Sequence, residues 1–429
     1  MAWEQLMLWK MSVQKSLVLS LSLGFMNACG ADGRGILTTS QISAGPDQDP
    51  VFSGPYAATV RFPSSSAEER QKAAAIFYDE VWKKNYLREG CGGFYVASGG
   101  GTGENVGDTI SEAHGYGMLI QPLMAYHDPE AQRLFDGMMD FFLRFRNEHG
   151  LMNWTVDVGG SCQVPKDGDD SATDGDLDIA YGLLLAHRVF GSTPTRDYLS
   201  LACELIQSIE THTMHAKTHL PLLGDWARDS DKYQSGARPS DFMTGHFKAF
   251  QKASGSAFWG EAVDAVYTLV SDMQERYAQS TGLLPDFVIT QGSNPKPAPS
   301  NYLESTTDGE YAYNACRVPW RLAADFIMSG DQRALLALNK MNRWVRTHSG
   351  GKPEKILDGN KLSGSKGSQQ AGPSMAFVAP FALAAMAGDD QILLDAFWSA
   401  LIRSSAEGYY EDSIRQLSLI SLAGLWQQP

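Results

Sequence analysis

The chain has 429 residues, a net charge of −14 and 43% hydrophobic residues. That is enough apolar material for a sizeable core in one large domain or two to three ordinary ones. The acidic balance disfavours nucleic acid as a partner. Five cysteines with no CxxC pair and no zinc spacing predict neither metal nor cofactor.

The N-terminus reads as an export signal over residues 1–29. Lys10 and Lys15 precede the apolar stretch 17–26, which is too short to span a bilayer. Ala28 before Cys29 has the look of a lipoprotein cleavage site, which makes a lipid anchor at Cys29 an alternative to plain secretion. Either way the protein is expected outside the cytoplasm of a bacterial cell: extracellular, periplasmic or anchored at the outer surface. Residues 30–66 are rich in Gly, Ser and Pro and predict a flexible tether, with an early strand at 57–62. Export permits a Cys91–Cys162 disulfide, although spacing alone does not decide it. Cys203 and Cys316 sit in apolar helical patterns and are expected to be core thiols.

From residue 67 onward the pattern is helical, and residues 67–429 are expected to form one domain. Ser66 and Glu69 make a capping-box pattern ahead of a helix over 67–87. The second helix covers 110–126. Asp128-Pro129 opens a third, with the stripe Leu134, Phe135, Met138, Phe142 and Phe145. The fourth, SATDGDLDIAYGLLLAHRVF, carries an acidic head and is then apolar nearly all round, so it should be buried on most sides. Further helices are expected from Thr193-Pro194 to about residue 212 and over 240–253, 257–278, 314–329, 331–348, 374–387, 390–404 and 413–426.

The connections alternate between short and long. Short links join antiparallel neighbours, and long ones are usually functional. Six helical hairpins with long loops on one side describe an all-α barrel of paired helices with an elaborated rim. Glu112, Asp174 and Asp241 open even-numbered helices, and Glu304 and Glu310 lie in the longest loop. If the even helices share a direction, these acids converge on that rim. Acids favour helix N-termini in any case, so each one alone is weak evidence.

Paired carboxylates flanking a cleft lined with aromatics suit glycoside hydrolysis. Glu112 in SEAHGYGM is a candidate general acid, and burial beside Asp174 would raise its pKa. Trp154, Trp226, Tyr302, Tyr311 and Tyr313 fall in or beside the long loops, where indoles and phenols can stack on sugar rings or anchor the loops. The aspartate-rich run 167–178 invites a calcium reading, but it lacks the Gly and the terminal Glu of an EF-hand loop.

Several ordered blocks resemble glycoside hydrolase family 8: SEAHGYGM (111–118), ATDGDLDIAYGLLLAHRVF (172–190), RPSDFM (238–243), LPDF (284–287) and NACRVPWR (314–321). Gly182, Ala113 and His114 depart from the family pattern. The resemblance implies an (α/α)6 barrel and an inverting endo-hydrolase of β-1,4-linked glycans. It carries the acid over to Glu112 and the sugar-positioning aspartate to Asp174. It carries substrate contacts to Trp154, Trp226, Tyr313 and Arg317, and Asp241 and Asn314 at the same rim are expected to contact substrate as well.

The base departs from the commoner pattern. Asn314 stands where many members have Asp, and an amide cannot accept the proton. The chain resembles a subgroup that has Asn there and takes its base from the preceding loop, ten residues upstream. That residue is Glu304, with Glu310 as the rival. An inverting pair stands roughly 6.5–9.5 Å apart to admit a water. The expected protein is a monomeric polysaccharide hydrolase with chitosan as first substrate. β-Glucan or cellulose is the enzymatic alternative, and a non-catalytic glycan-binding barrel is the alternative of another class.

Overall fold

The stripes read along the sequence close into a ring. The computed structural model describes residues 29, 56–99, 108–291 and 294–429. The signal segment before Cys29, and the tether up to residue 55, lie outside the described residues.

Twelve helices are present among the described residues. Helix α1 runs Ala67–Phe77, widens through a π-type turn at Tyr78–Lys83 and ends at Lys84–Tyr86. The others are α2 (Ser111–Leu123), α3 (Ala131–Arg144), α4 (Thr173–Phe190), α5 (Tyr198–His212) and α6 (Thr244–Ser254). Then come α7 (Phe258–Tyr277), α8 (Val318–Ser329), α9 (Gln332–Ser349), α10 (Met375–Met386), α11 (Gln391–Arg403) and α12 (Tyr409–Leu422).

The even helices form a closed inner ring. α2 packs on α4, α4 on α6, α6 on α8, α8 on α10, α10 on α12, and α12 returns to α2. Helices α3, α5, α7, α9 and α11 each lie against the even helix before them, and α1 covers α12. Composition dictates which ring a helix joins. All twelve residues of α10, MAFVAPFALAAM, are buried, so it can only be central. In α9 the buried positions are Ala334, Ala337, Leu338, Met341, Trp344, Val345 and Ser349, one face of an outer helix.

Helices α2 and α4 approach unusually closely. A Cβ on Gly182 would stand 2.6 Å from the backbone oxygen of Met118, and one on Gly115 would stand 2.9 Å from Asp178 Cβ. Only glycine fits such an approach, which explains the departure at Gly182. The close contact places the N-terminal turns of the two helices, with Glu112 and Asp174, side by side.

The loops carry short antiparallel strands. β1 (Leu87–Gly90) pairs with β2 (Gly93–Val96), and β3 (Thr109–Ile110) pairs with β4 (Thr155–Val156). β5 (Gly236–Ala237) and β7 (Lys296–Pro297) flank β6 (Val288–Ile289). A satellite apolar cluster under these loops contains Leu222, Leu223, Ala227, Phe287, Ala298 and Tyr302.

Three sequence expectations need correction. Residues 56–66 are not a free tether: Ala57 N donates to Ile327 O (2.8 Å), Arg61 N to Met386 O (2.9 Å), and Trp426 N to Tyr56 Oη (2.9 Å). No strand forms at 57–62, because those backbone groups pair with helix ends instead. Cys203 is not a core thiol but is bonded to Cys29. That bond occupies the sulfur a lipid anchor would need. The Cys91–Cys162 disulfide, left open by the sequence, is formed, and Cys316 is a buried free thiol.

Candidate active site

The N-terminal ends of α2, α4, α6, α8 and α12 meet at one rim, and Arg317 ties them together. Its Nη1 donates to Glu112 Oε2 (2.5 Å), Asp174 Oδ2 (2.7 Å) and Tyr116 Oη (3.3 Å). Its Nη2 donates to Ser240 Oγ (3.0 Å) and Asn314 Oδ1 (3.1 Å). Arg317 sits in a short 3-10 turn, Ala315–Arg317, that leads into α8. The turn is held by Asp286, whose Oδ1 accepts from the amides of Ala312 (3.1 Å), Asn314 (3.1 Å) and Ala315 (2.7 Å).

Glu112 lies in the first turn of α2, its side chain 13% exposed. Tyr409 Oη, from the start of α12, donates to its Oε1 at 3.0 Å. Burial pushes the Glu112 pKa up, the charge of Arg317 opposes this, and the charge of Asp174 adds to it. The balance leaves it at about 7. Asp174 is buried more deeply still, yet Arg238 and Arg317 outweigh the desolvation and bring it down to about 2. Two neighbouring carboxyls thus have well-separated protonation, the pattern from which acid and base roles are built.

Glu304 reaches this group from the loop before α8, its side chain 46% exposed. Asn314 Nδ2 donates to its Oε2 at 2.8 Å, and Arg238 Nη2 stands 3.6 Å from its Oε1. Arg238 also reaches Asp174, 3.4 Å away. Glu112 and Glu304 are therefore linked through two bridging side chains, Arg317 and Asn314. Glu310 faces elsewhere: its carboxylate accepts from the amide (2.7 Å) and hydroxyl (2.5 Å) of Ser368 and fastens two loops together.

The aromatics divide by exposure. Trp154 (39% exposed) and Tyr313 (44%) are two of the three exposed large aromatics among the described residues. Trp154 is positioned by the backbone, since its carbonyl accepts from Ser111 N, one residue before Glu112 (2.9 Å). Tyr313 rests edge-on against Phe377 and donates to Asp358. Trp226 is half-buried, its ring edge-on to Tyr233. Tyr302 and Tyr311 are buried and anchor the loops to the core.

Asp241 needs correction as a substrate contact. It has no exposed surface, and its Oδ1 accepts from Ser240 Oγ (3.1 Å). Burial raises it to about 7 against the pull of Arg238. The other aspartates of the α4 head point away from the rim. Asp176 accepts from Met152 N, and Asp178 is held by Arg321 through two bonds (2.8 and 2.6 Å) and by His246 (2.9 Å). Those partners are donors, whereas a calcium site needs converging oxygens. His114 is buried, hydrogen-bonded to Met138 O and stacked on Phe141. Burial depresses its pKa to about 4, so it serves the core as a neutral ring.

Arg238, Tyr409, Asp286 and Asp308 belong to the site but were given no role from the sequence. Arg238 and Asp286 lie inside motifs already singled out, RPSDFM and LPDF. Tyr409 carried no local signal, since it meets Glu112 only through ring closure.

A helical barrel whose rim gathers these carboxyls beside open aromatics suits a glycoside hydrolase. The chain belongs to glycoside hydrolase family 8: the family model "Glycosyl hydrolases family 8" matches residues 55–423. It is 44% identical over 351 residues to a beta-glucanase of Niallia circulans, covering 81% of this chain and 83% of that one. It is 36% identical over 375 residues to an endoglucanase of Bacillus sp. strain KSM-330, covering 85% and 78%. Among solved structures it matches a beta-1,3-1,4-glucanase from Paenibacillus sp. X4 with a TM-score of 0.82 and 41% identity, over 87% of this chain and 97% of that one. This likeness supports the (α/α)6 barrel that the family resemblance implies and that the count of twelve helices matches.

Proposed function

We propose that the protein is a secreted, inverting endo-β-glucanase acting on β-1,4- or mixed-linkage glucan. The observation that carries the mechanism is the pairing of a buried carboxyl at about 7, Glu112, with an open carboxylate, Glu304, through Arg317 and Asn314. Glu112 donates its proton to the leaving glycosidic oxygen. Glu304 takes a proton from a water that attacks the opposite face of the ring. Asp174, kept ionised by Arg238 and Arg317, hydrogen-bonds and orients the sugar at the cleaved bond. Trp154 and Tyr313 offer open ring faces to neighbouring sugars.

Chitosan, the first expectation, is displaced by glucan for two reasons. The relatives are glucanases by name. The cleft floor also sets two arginines, Arg238 and Arg317, among Glu112, Asp174 and Glu304. This leaves little net negative charge to favour a cationic glucosamine polymer over a neutral glucan. The two disulfides agree with an extracellular location. Reducing ends released from barley β-glucan, carboxymethyl-cellulose, chitosan and xylan test the reading. Greatest turnover is expected on β-glucan. Preferential cleavage of chitosan would overturn the substrate, and binding of glucan without cleavage of any polymer would overturn the enzymatic reading.

A further inference from the structure

The loop that carries Glu304 is folded around one buried carboxylate. Asp308 has no exposed surface. Its Oδ2 accepts from the amides of Leu303 (2.7 Å) and Glu304 (3.1 Å), and its Oδ1 from the amide of Ser305 (2.8 Å). Three consecutive N–H groups, with that of Glu304 in the middle, thus converge on a single side chain. Such a nest fixes the backbone of all three residues and therefore the direction in which the Glu304 side chain leaves the loop. The carbonyl of Asp308 in turn accepts from Phe287 N (2.9 Å). Phe287 follows Asp286, whose carboxylate holds the Asn314 turn. Both partners of the Glu304–Asn314 hydrogen bond are therefore suspended from the same short segment, Asp286–Phe287.

We infer that Asp308 is a positioning residue for the general base: it sets the Glu304 carboxylate at hydrogen-bonding distance from Asn314. The inference rests on the reading of Glu304 as base. It does not follow from the need to stabilise a loop, because Tyr302 and Leu303 already anchor the loop in the satellite apolar cluster. Asp308 touches no reacting atom and acts only through Glu304.

Asp308→Asn keeps the size of the side chain but turns an N–H toward at least one of the three donors. A misplacement of about 1 Å at a reacting group costs on the order of 10²-fold in rate, and that loss is expected in kcat with KM within about threefold. In a Glu304→Gln background the same change should add less than about twofold, because the group it positions is already gone. Affinity of the Glu304→Gln protein for a glucan oligosaccharide, measured by calorimetry, should be unaltered by Asp308→Asn.

Equal losses in both backgrounds, a loss confined to KM, or a circular-dichroism spectrum showing an unfolded protein would make Asp308 a general structural residue and overturn the inference. Asp308→Glu, which retains the charge, is a second variant. Its kcat should lie between those of the wild type and Asp308→Asn, and full wild-type kcat in both variants would also overturn it. Near-normal turnover of Glu304→Gln alone would reject the base assignment, whatever Asp308 does.

Discussion

The amide of Asn314 donates to the carboxylate of Glu304 at 2.8 Å, across ten residues of sequence. The same Asn314 accepts from Arg317 through its Oδ1. An aspartate at this position would face Glu304 as a like charge at hydrogen-bond distance. The amide instead holds the glutamate, fastens it to the arginine that binds Glu112, and leaves it free to accept a proton.

Substitutions at the two acids should be costly and those at the rival should not. Glu112→Gln and Glu304→Gln are each expected to reduce turnover of β-glucan by at least ~10²-fold, the lower range for acid/base groups. Glu310→Gln is expected to stay within about threefold, since it loses only its bonds to Ser368 on another loop. Steady-state kinetics on the three variants decide between Glu304 and Glu310.

Asn314→Asp should impair the enzyme. Two carboxyls at that distance cannot both ionise easily, so one takes up a proton that a base must lack. Turnover at neutral pH is expected to fall roughly 10-fold or more, with the acidic limb of kcat/KM displaced toward higher pH. Unchanged activity would mean that the Asn314–Glu304 bond does not matter.

On the proposed mechanism the basic limb of the pH profile belongs to Glu112. A general acid works only while protonated, so kcat/KM should decline as pH rises through about 7. The negative charge of Asp174 helps to hold this pKa up. Asp174→Asn removes that charge and leaves Arg317 to Glu112, and both effects lower the pKa. The residual activity of Asp174→Asn should therefore show its basic limb shifted to lower pH. A shift in the other direction would contradict the electrostatics described here.

Gly182→Ala should destabilise the protein. The added methyl meets the backbone oxygen of Met118 at 2.6 Å, and backbone cannot step aside as a flexible side chain can. A loss of ~1–3 kcal/mol is expected, the usual range for overpacking, and would be read from denaturant unfolding.

The disulfides make a further measurable contribution. Cys91→Ser with Cys162→Ser opens a crosslink between residues 71 apart and should cost about 2–4 kcal/mol. Mass spectrometry of the exported protein should find Cys29 joined to Cys203. A diacylglyceryl adduct on Cys29 would show that the anchored form prevails instead.

Much of this was legible in the residues. Helix periodicity found all twelve helices, because each must bury a stripe and inner ones such as α10 bury every residue. The stripe Leu134, Phe135, Met138, Phe142 and Phe145 is buried as read. The α12 boundary was misplaced, because Tyr409 and Glu411 look like loop residues until the rim is assembled around them. The two-residue strands β3 to β7 carry no periodic signal at all. Residues 56–66 read as tether because their anchors are the backbone groups of distant helices. Asp241 shows why position alone misleads: it stands at the mouth of an even helix, as Glu112 and Asp174 do, but is sealed from the groove. Asp308 was invisible for a simpler reason. Its partners are main-chain amides, which have no spelling in the sequence.

The inner ring closes only when α12 docks on α2, and Tyr409 then reaches Glu112 from 297 positions away. The carboxyl proposed as proton donor thus takes a hydrogen bond from the helix that closes the ring. A chain in which α12 has not docked lacks this contact, so cleaving power is expected to follow ring closure rather than to grow with each helix added.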